Sequence, residues 1–112
     1  MKHIILGKKG EIEAVNHLKN KGYKILQTNY VNVLGEIDII AKDNDYLIFI
    51  EVKTRTSRKF GRASEAVNFH KQKKIRDVAL LYLKKNHELE SNVRFDVIEI
   101  YDNEINHILN AF

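Results

Sequence analysis

The run Tyr46–Thr54 constrains the fold of this 112-residue chain more than any other segment. Ile48, Ile50 and Val52 fill one set of alternating positions, and Leu47 and Phe49 fill the other. A strand that is apolar on both faces must be covered on both, so it belongs at the centre of a layered sheet. On the face of Leu47 and Phe49 the run continues into Glu51 and Lys53, because side chains alternate with period two. Charges beside a buried run are costly unless they are paired or bound to a cation.

The rest of the chain supplies the layers that such a strand needs. Lys8 to Lys21 reads as a helix, with Ile12, Val15 and Leu18 at three-residue spacing, Ala14 four before Leu18, and Gly22 as the stop. Tyr23 to Thr28 and Glu36 to Ala41 read as strands, the second placing Ile37 and Ile39 on one face. Asp43, Asn44 and Asp45 supply turn residues before the central strand. Arg55 to Ala63 is a polar loop. Asn68 to Asn86 reads as a second helix, with Ile75, Val78, Ala79, Tyr82 and Leu83 inward. Val93 to Tyr101 and Glu104 to Leu109 complete the order αβββαββ. The expected fold class is an α/β sandwich, its mixed sheet flanked by helices and its first three strands a meander. A chain of 112 residues has room for one core, so residues 1–112 form one domain.

Charge divides the chain unevenly. The segment 1–52 is neutral, 53–85 carries +9 and 86–112 carries −5. A polyanionic partner would use such segregation, although Lys71, Lys73, Lys74 and Arg76 would also serve as the solvated face of a helix. There is no cysteine, which removes disulfides and thiolate zinc sites and fits a reducing cytoplasm. No unbroken apolar run in the sequence is long enough to span a bilayer. The five histidines show no ligand spacing and no carboxylate–histidine pair, and read as surface or partly buried.

The hairpin register sharpens the picture. A turn at Asn44 and Asp45 sets Asp38 opposite Glu51 and Glu36 opposite Lys53. Directly opposed residues share a face with Cβ atoms roughly 5 Å apart. Glu36 and Lys53 then form an ion pair, whereas Asp38 and Glu51 repel unless one is protonated or a divalent cation lies between them. Two carboxylates beside a lysine can hold Mg²⁺ against a phosphate and stabilise developing negative charge. A surface salt-bridge network is the competing reading of the same residues.

Gly35-Glu36-Ile37-Asp38 followed by Glu51-Val52-Lys53 resembles the PD-(D/E)xK signature of the restriction-endonuclease-like fold. More of the chain resembles the YraN-like family, through Gly10-Glu11 with Ala14, Gly22-Tyr23-Lys24-Ile25-Leu26, Asn29, and Gly35 through Ala41. Phe49 through Arg55, Lys71-Gln72 and Arg94-Phe95-Asp96-Val97 extend the match. That family is similar in fold to archaeal Holliday-junction resolvases. The resemblance implies an αβββαβ nuclease-like core, a Mg²⁺ or Mn²⁺ site and nucleic-acid binding, without an established substrate. By position it makes Asp38 and Glu51 the metal-binding carboxylates and the Val52 carbonyl a backbone ligand. Lys53 would orient the attacking water and stabilise the transition state. Glu11 would complete or support the metal site, and Gln72 would lie near it. The resemblance also implies an arginine where this chain has Val31.

Arg55, Arg58, Lys59 and Arg62, in the loop after Lys53, are expected on the phosphates flanking the scissile one, with Lys71, Gln72 and Lys74 from the second helix. Phe60 is the best base-stacking candidate. Six phosphate contacts on duplex DNA would give a log–log salt slope of about −5. No base-reading motif is present, so backbone or shape recognition is expected. The expectation is a metal-dependent nuclease acting on DNA in preference to RNA, a two-fold dimer being the way to cut both strands. The alternatives are a nucleic-acid-binding module with little or no catalysis, and a protein-interaction subunit using its acidic last third. Basic residues flanking Asp38 and Glu51 would favour the first two.

Overall fold

A computed structural model describes residues 2–55 and 67–112, with side chains from residue 7 onward. Its elements are α1 (Lys2–Asn20), β1 (Lys24–Asn32), β2 (Gly35–Asp43), β3 (Tyr46–Arg55), α2 (Phe69–Lys85), β4 (Asn92–Tyr101) and β5 (Glu104–Ile108). The five strands form one sheet in the order β1-β2-β3-β4-β5. All neighbours are antiparallel except β3 and β4, which run parallel across the whole of β3. Parallel neighbours require a crossover, and α2 provides it. The expected mixed α/β class, element order and central strand are therefore all present. No helix among the described residues is long and apolar enough to cross a membrane.

The two faces of β3 are covered by different helices. Leu47 and Phe49 pack with Ile75, Val78, Ala79 and Leu83 of α2. Ile48 and Ile50 pack with Ala14 and Leu18 of α1. Phe49 is fully buried between the rings of Tyr82 and Phe95, with centroids 5.7 and 5.6 Å away. α2 starts at its N-cap Asn68, whose side chain accepts from the Lys71 N–H at 2.9 Å.

α1 is longer than its periodicity indicates, beginning at Lys2 rather than Lys8. Gly7 and Gly10 weaken the helical signal there. A Cβ on Gly10 would collide with the Thr54 hydroxyl and meet Ile100, so this glycine lets α1 approach the sheet. β1 likewise runs past Thr28 to Asn32, through Asn29 in the left-handed region at φ 50°.

One expectation about β2 fails in an informative way. Ile37 and Ile39 do not share a face: Ile37 joins the α2-side core with Ile40, and Ile39 joins the α1-side core with Ala41. The alternation breaks at Asp38. Across the β1–β2 ladder, pairs run Thr28↔Ile39 and Tyr30↔Ile37, so the left-handed Asn29 lies opposite Asp38. A local irregularity of this kind re-aims a side chain away from the regular pleat.

Candidate metal and phosphate site

The β2–β3 hairpin turns at Asn44, φ 51°, and Asp45, and pairs in the expected register from Asp43↔Tyr46 to Ile39↔Ile50. The ladder ends there, one step short of Asp38 and Glu51. Beyond that point the Asp38 carboxylate takes over from the ladder, its Oδ2 accepting from the Val52 N–H at 2.8 Å. Two acids are thereby held at the opening end of the hairpin. Glu51 is only 6% exposed, one of two buried charged residues in the described core.

Two lysines approach the Glu51 carboxylate. Lys71 Nζ, from the first turn of α2, lies 2.6 Å from Glu51 Oε1. Lys53 Nζ lies 3.9 Å from the same oxygen. The expected Glu36–Lys53 ion pair does not form, because the ladder stops before the two residues are opposed. Glu36 instead lines, with Asp38, Glu51, Lys71 and Lys74, an open cavity of about 430 Å³. Gly35, at φ 147°, also lines it, and a Cβ there would press on Val78 and Lys74 of α2. The absence of a side chain lets β2 begin directly against that helix.

The electrostatics are those of an acid-rich pocket partly balanced by cations. Burial, then the Glu51 charge, push the Asp38 carboxyl up from 3.8 to about 7, against the Val52 N–H, which favours the ionised form. Glu11 is near enough to add to that rise. Burial, and then the Lys71 charge, hold the Lys53 ammonium below its ordinary value. Burial also pulls on Lys71, but the hydrogen bond and charge of Glu51 outweigh it and hold Lys71 above its ordinary value.

The remaining candidate residues fall in several places. Glu11, half-buried on α1, is near enough for its charge to act on Asp38, but it lines a second groove rather than the carboxylate cavity. The Gln72 side-chain amide donates to the Val67 carbonyl at 2.9 Å and does not line the carboxylate cavity. Arg55 Nε lies 2.9 Å from Glu99 Oε2 on β4, in a separate pocket with Thr54 and Ile100. Arg58, Lys59, Phe60 and Arg62 lie outside the described residues. Of the basic residues weighed on charge alone, Lys71 and Lys74 flank the carboxylates.

Among the described residues, no group of three or more His, Cys, Asp or Glu side chains is arranged as a metal cage. Mg²⁺ does not need one, since it keeps several waters and is held by one or two carboxylates plus substrate phosphates. Asp38 and Glu51 supply an all-oxygen donor pair, the kind that hard divalent cations prefer. Burial and then the Glu51 charge raise the Asp38 carboxyl, and such a cation would relieve the second of these. The two carboxylates therefore fit a hard divalent cation such as Mg²⁺ or Mn²⁺ by the chemistry of their donor atoms.

One buried polar cluster escaped the sequence reading. Asp96 is fully buried and accepts four hydrogen bonds: from Arg94 Nε and an Arg94 terminal nitrogen, both at 2.9 Å, from the Asn110 N–H at 2.9 Å, and from His107 Nε2 at 2.8 Å. A carboxylate–histidine pair therefore does exist, contrary to expectation. Arg94 also donates to the Tyr23 hydroxyl at 2.8 Å, tying β4 to the start of β1. Burial works against the charge on Asp96, but His107, Arg94 and the Asn110 N–H together hold its carboxyl below the ordinary range. Arg94 and Asp96 at i, i+2 on one strand face were a readable signal. His107 was not, because only the β4–β5 pairing Ile98↔His107 brings it alongside. This cluster is a structural staple of β4, β5 and the final residues.

Comparison with known proteins gives a consistent result. The profile of uncharacterised protein family UPF0102 matches residues 10–100. A UPF0102 protein of Thermodesulfovibrio yellowstonii is 51% identical over 112 residues, covering 100% of this chain and 99% of its own. One from Alkaliphilus oremlandii is 55% identical over 113 residues, covering 96% and 97% respectively. One from Clostridioides difficile is 54% identical over 105 residues, covering 92% of each chain.

Proposed function

This chain belongs to uncharacterised protein family UPF0102, and we propose that within it the protein binds nucleic acid and cleaves phosphodiesters with the help of a divalent cation. DNA is favoured over RNA as the substrate, and a two-fold dimer would serve where both strands are cut. The observation that carries this reading is the convergence of Asp38 and Glu51 at the end of the central strand, with Lys53 and Lys71 against Glu51. The likeness of these residues to the PD-(D/E)xK signature supports it.

The division of labour follows from the side chains. Asp38 and Glu51 would hold Mg²⁺ or Mn²⁺, and the bound ion would polarise water and phosphate. Lys53, three-donor and cationic, would stand beside the transferred charge rather than bind the metal. Lys71 and Lys74 would meet the flanking phosphates, and Glu11 would orient groups at the Asp38 side. The acidic pocket alone would repel a polyanion, so the α2 lysines are what make the cavity accessible to phosphate.

A second reading, binding without catalysis, is favoured by one observation: Lys71 already satisfies Glu51 at 2.6 Å, as a structural ion pair would. Calorimetric titration with Mn²⁺ separates the two. We expect wild-type binding that vanishes in Asp38→Ala, and nicking of supercoiled DNA that vanishes in Glu51→Gln. Mn²⁺-independent DNA binding with no cation uptake by either protein would establish the second reading and remove the first.

A further inference from the structure

The two sides of the carboxylate site differ in chemistry. On the α2 side are Lys71 and Lys74, cations suited to a phosphate backbone. On the α1 side is a different surface, a groove of about 570 Å³ between α1 and the edge strand β1. It meets the site at two points. Glu11 lines the groove and also acts on Asp38. Asn29 lines the groove and lies across the ladder from Asp38.

The groove is built for something other than phosphate. Its charged lining residues, Lys8 and Glu11, offset one another. Its apolar wall is Ile12 and Val15, one α-helical turn apart, and Ile12 is left 62% exposed. Asn16, Thr28 and Asn29 add side chains that both donate and accept hydrogen bonds. An apolar surface rimmed by a few such groups suits a flat heterocycle with a hydrogen-bonding edge, and the volume lies in the range of small-molecule sites. Within a duplex the bases are stacked and cannot lie against such a wall. An unpaired base can.

We propose that the α1–β1 groove receives an unpaired nucleobase next to the phosphate held at Asp38 and Glu51. The substrate class is then DNA at a duplex-to-single-strand boundary, the duplex phosphates on the α2 lysines and the unpaired arm over α1. This inference rests on the nucleic-acid reading above and deepens it. Ile12 is a positioning residue for the arm, and the wall it forms is indifferent to base identity.

The test is fluorescence anisotropy with three labelled DNA probes in Ca²⁺: a blunt duplex, the same duplex with a single-stranded arm, and that duplex with an abasic arm. The expected result is at least fivefold tighter binding of the armed duplex than of the blunt one, with the abasic arm behaving as blunt. Ile12→Ser should erase the preference and leave blunt-duplex affinity within twofold. Lys74→Ala should weaken the blunt and armed probes alike. Equal binding of the blunt and armed duplexes would overturn this inference and leave nucleic-acid binding standing. So would an abasic arm bound as tightly as the normal arm, which would assign the gain to phosphates. A change of mass in light scattering for Ile12→Ser would assign the groove to contact between chains instead. Failure of every probe to bind would overturn the nucleic-acid reading itself, and this inference with it.

Discussion

Replacing Asp38 by asparagine should make this protein more stable at alkaline pH while removing one carboxylate of the proposed cation site. The Val52 N–H keeps its acceptor, because the Asn carbonyl oxygen can take the place of Oδ2. What disappears is a charge that the fold tolerates poorly. A carboxyl raised from 3.8 to about 7 in the native state keeps its proton where the unfolded chain has lost it. Its favourable contribution is fully present below the unfolded value and is lost as pH rises through the native one. At about 1.4 kcal/mol per tenfold, the full fall amounts to about 4 kcal/mol. Between pH 5.5 and 8 the part still to be lost is about 2 kcal/mol. Urea unfolding of wild type and Asp38→Asn at several pH values measures it directly. The stability gap in favour of the variant should widen by about 2 kcal/mol over that interval. Added Mg²⁺ should narrow the gap by stabilising only the wild type. Parallel stability–pH curves for the two proteins would mean that Asp38 ionises as readily in the fold as outside it, and that its burial beside Glu51 carries no cost.

Two further predictions concern the scaffold. Asp96→Ala strands the Arg94 guanidinium without its carboxylate partner and should cost about 3–5 kcal/mol in urea unfolding, with no change in the salt slope of the proposed DNA binding. Because the Asp96 carboxyl is held below its ordinary range, its stabilisation is present above about pH 4 and is lost as pH falls through the native value. Wild type should therefore lose stability on acidification that Asp96→Ala has already lost. Gly7→Ala and Gly10→Ala should have opposite signs in thermal unfolding. Nothing lies within 4 Å of a Cβ at Gly7, so alanine there gains helix propensity of about 0.5–1 kcal/mol. At Gly10 the collision with Thr54 should outweigh that gain by about 1–2 kcal/mol, and Thr54→Ala should restore the loss.

Much of the architecture was legible because β3 announces itself. A strand apolar on both faces has one place to go, and its neighbours carry the periodicities of one helix per face. The register at Asn44-Asp45 was readable for the same reason: turn chemistry and a buried face together fix the pairing. The identity of the two carboxylates followed from that register and from the Glu-x-Lys spacing. Charge segregation singled out the region that supplies Lys71 and Lys74, though not which of its basic residues would reach the carboxylates.

The layers, the central strand and the pairing that carries Asp38 towards Glu51 follow from local period and turn chemistry, which are written in the order of the residues. What the carboxylates meet depends on how the layers dock. The break at Asp38 depends on a left-handed residue on a different strand, Asn29, and puts a side chain where a backbone carbonyl would have been. That break ends the ladder and dissolves the expected Glu36–Lys53 pair. Lys71 reaches Glu51 only because α2 crosses over the sheet, and His107 reaches Asp96 only through the β4–β5 hairpin. Contacts between residues distant in the chain are set by how layers dock, and docking is governed by the summed fit of many side chains rather than by any pattern within one segment.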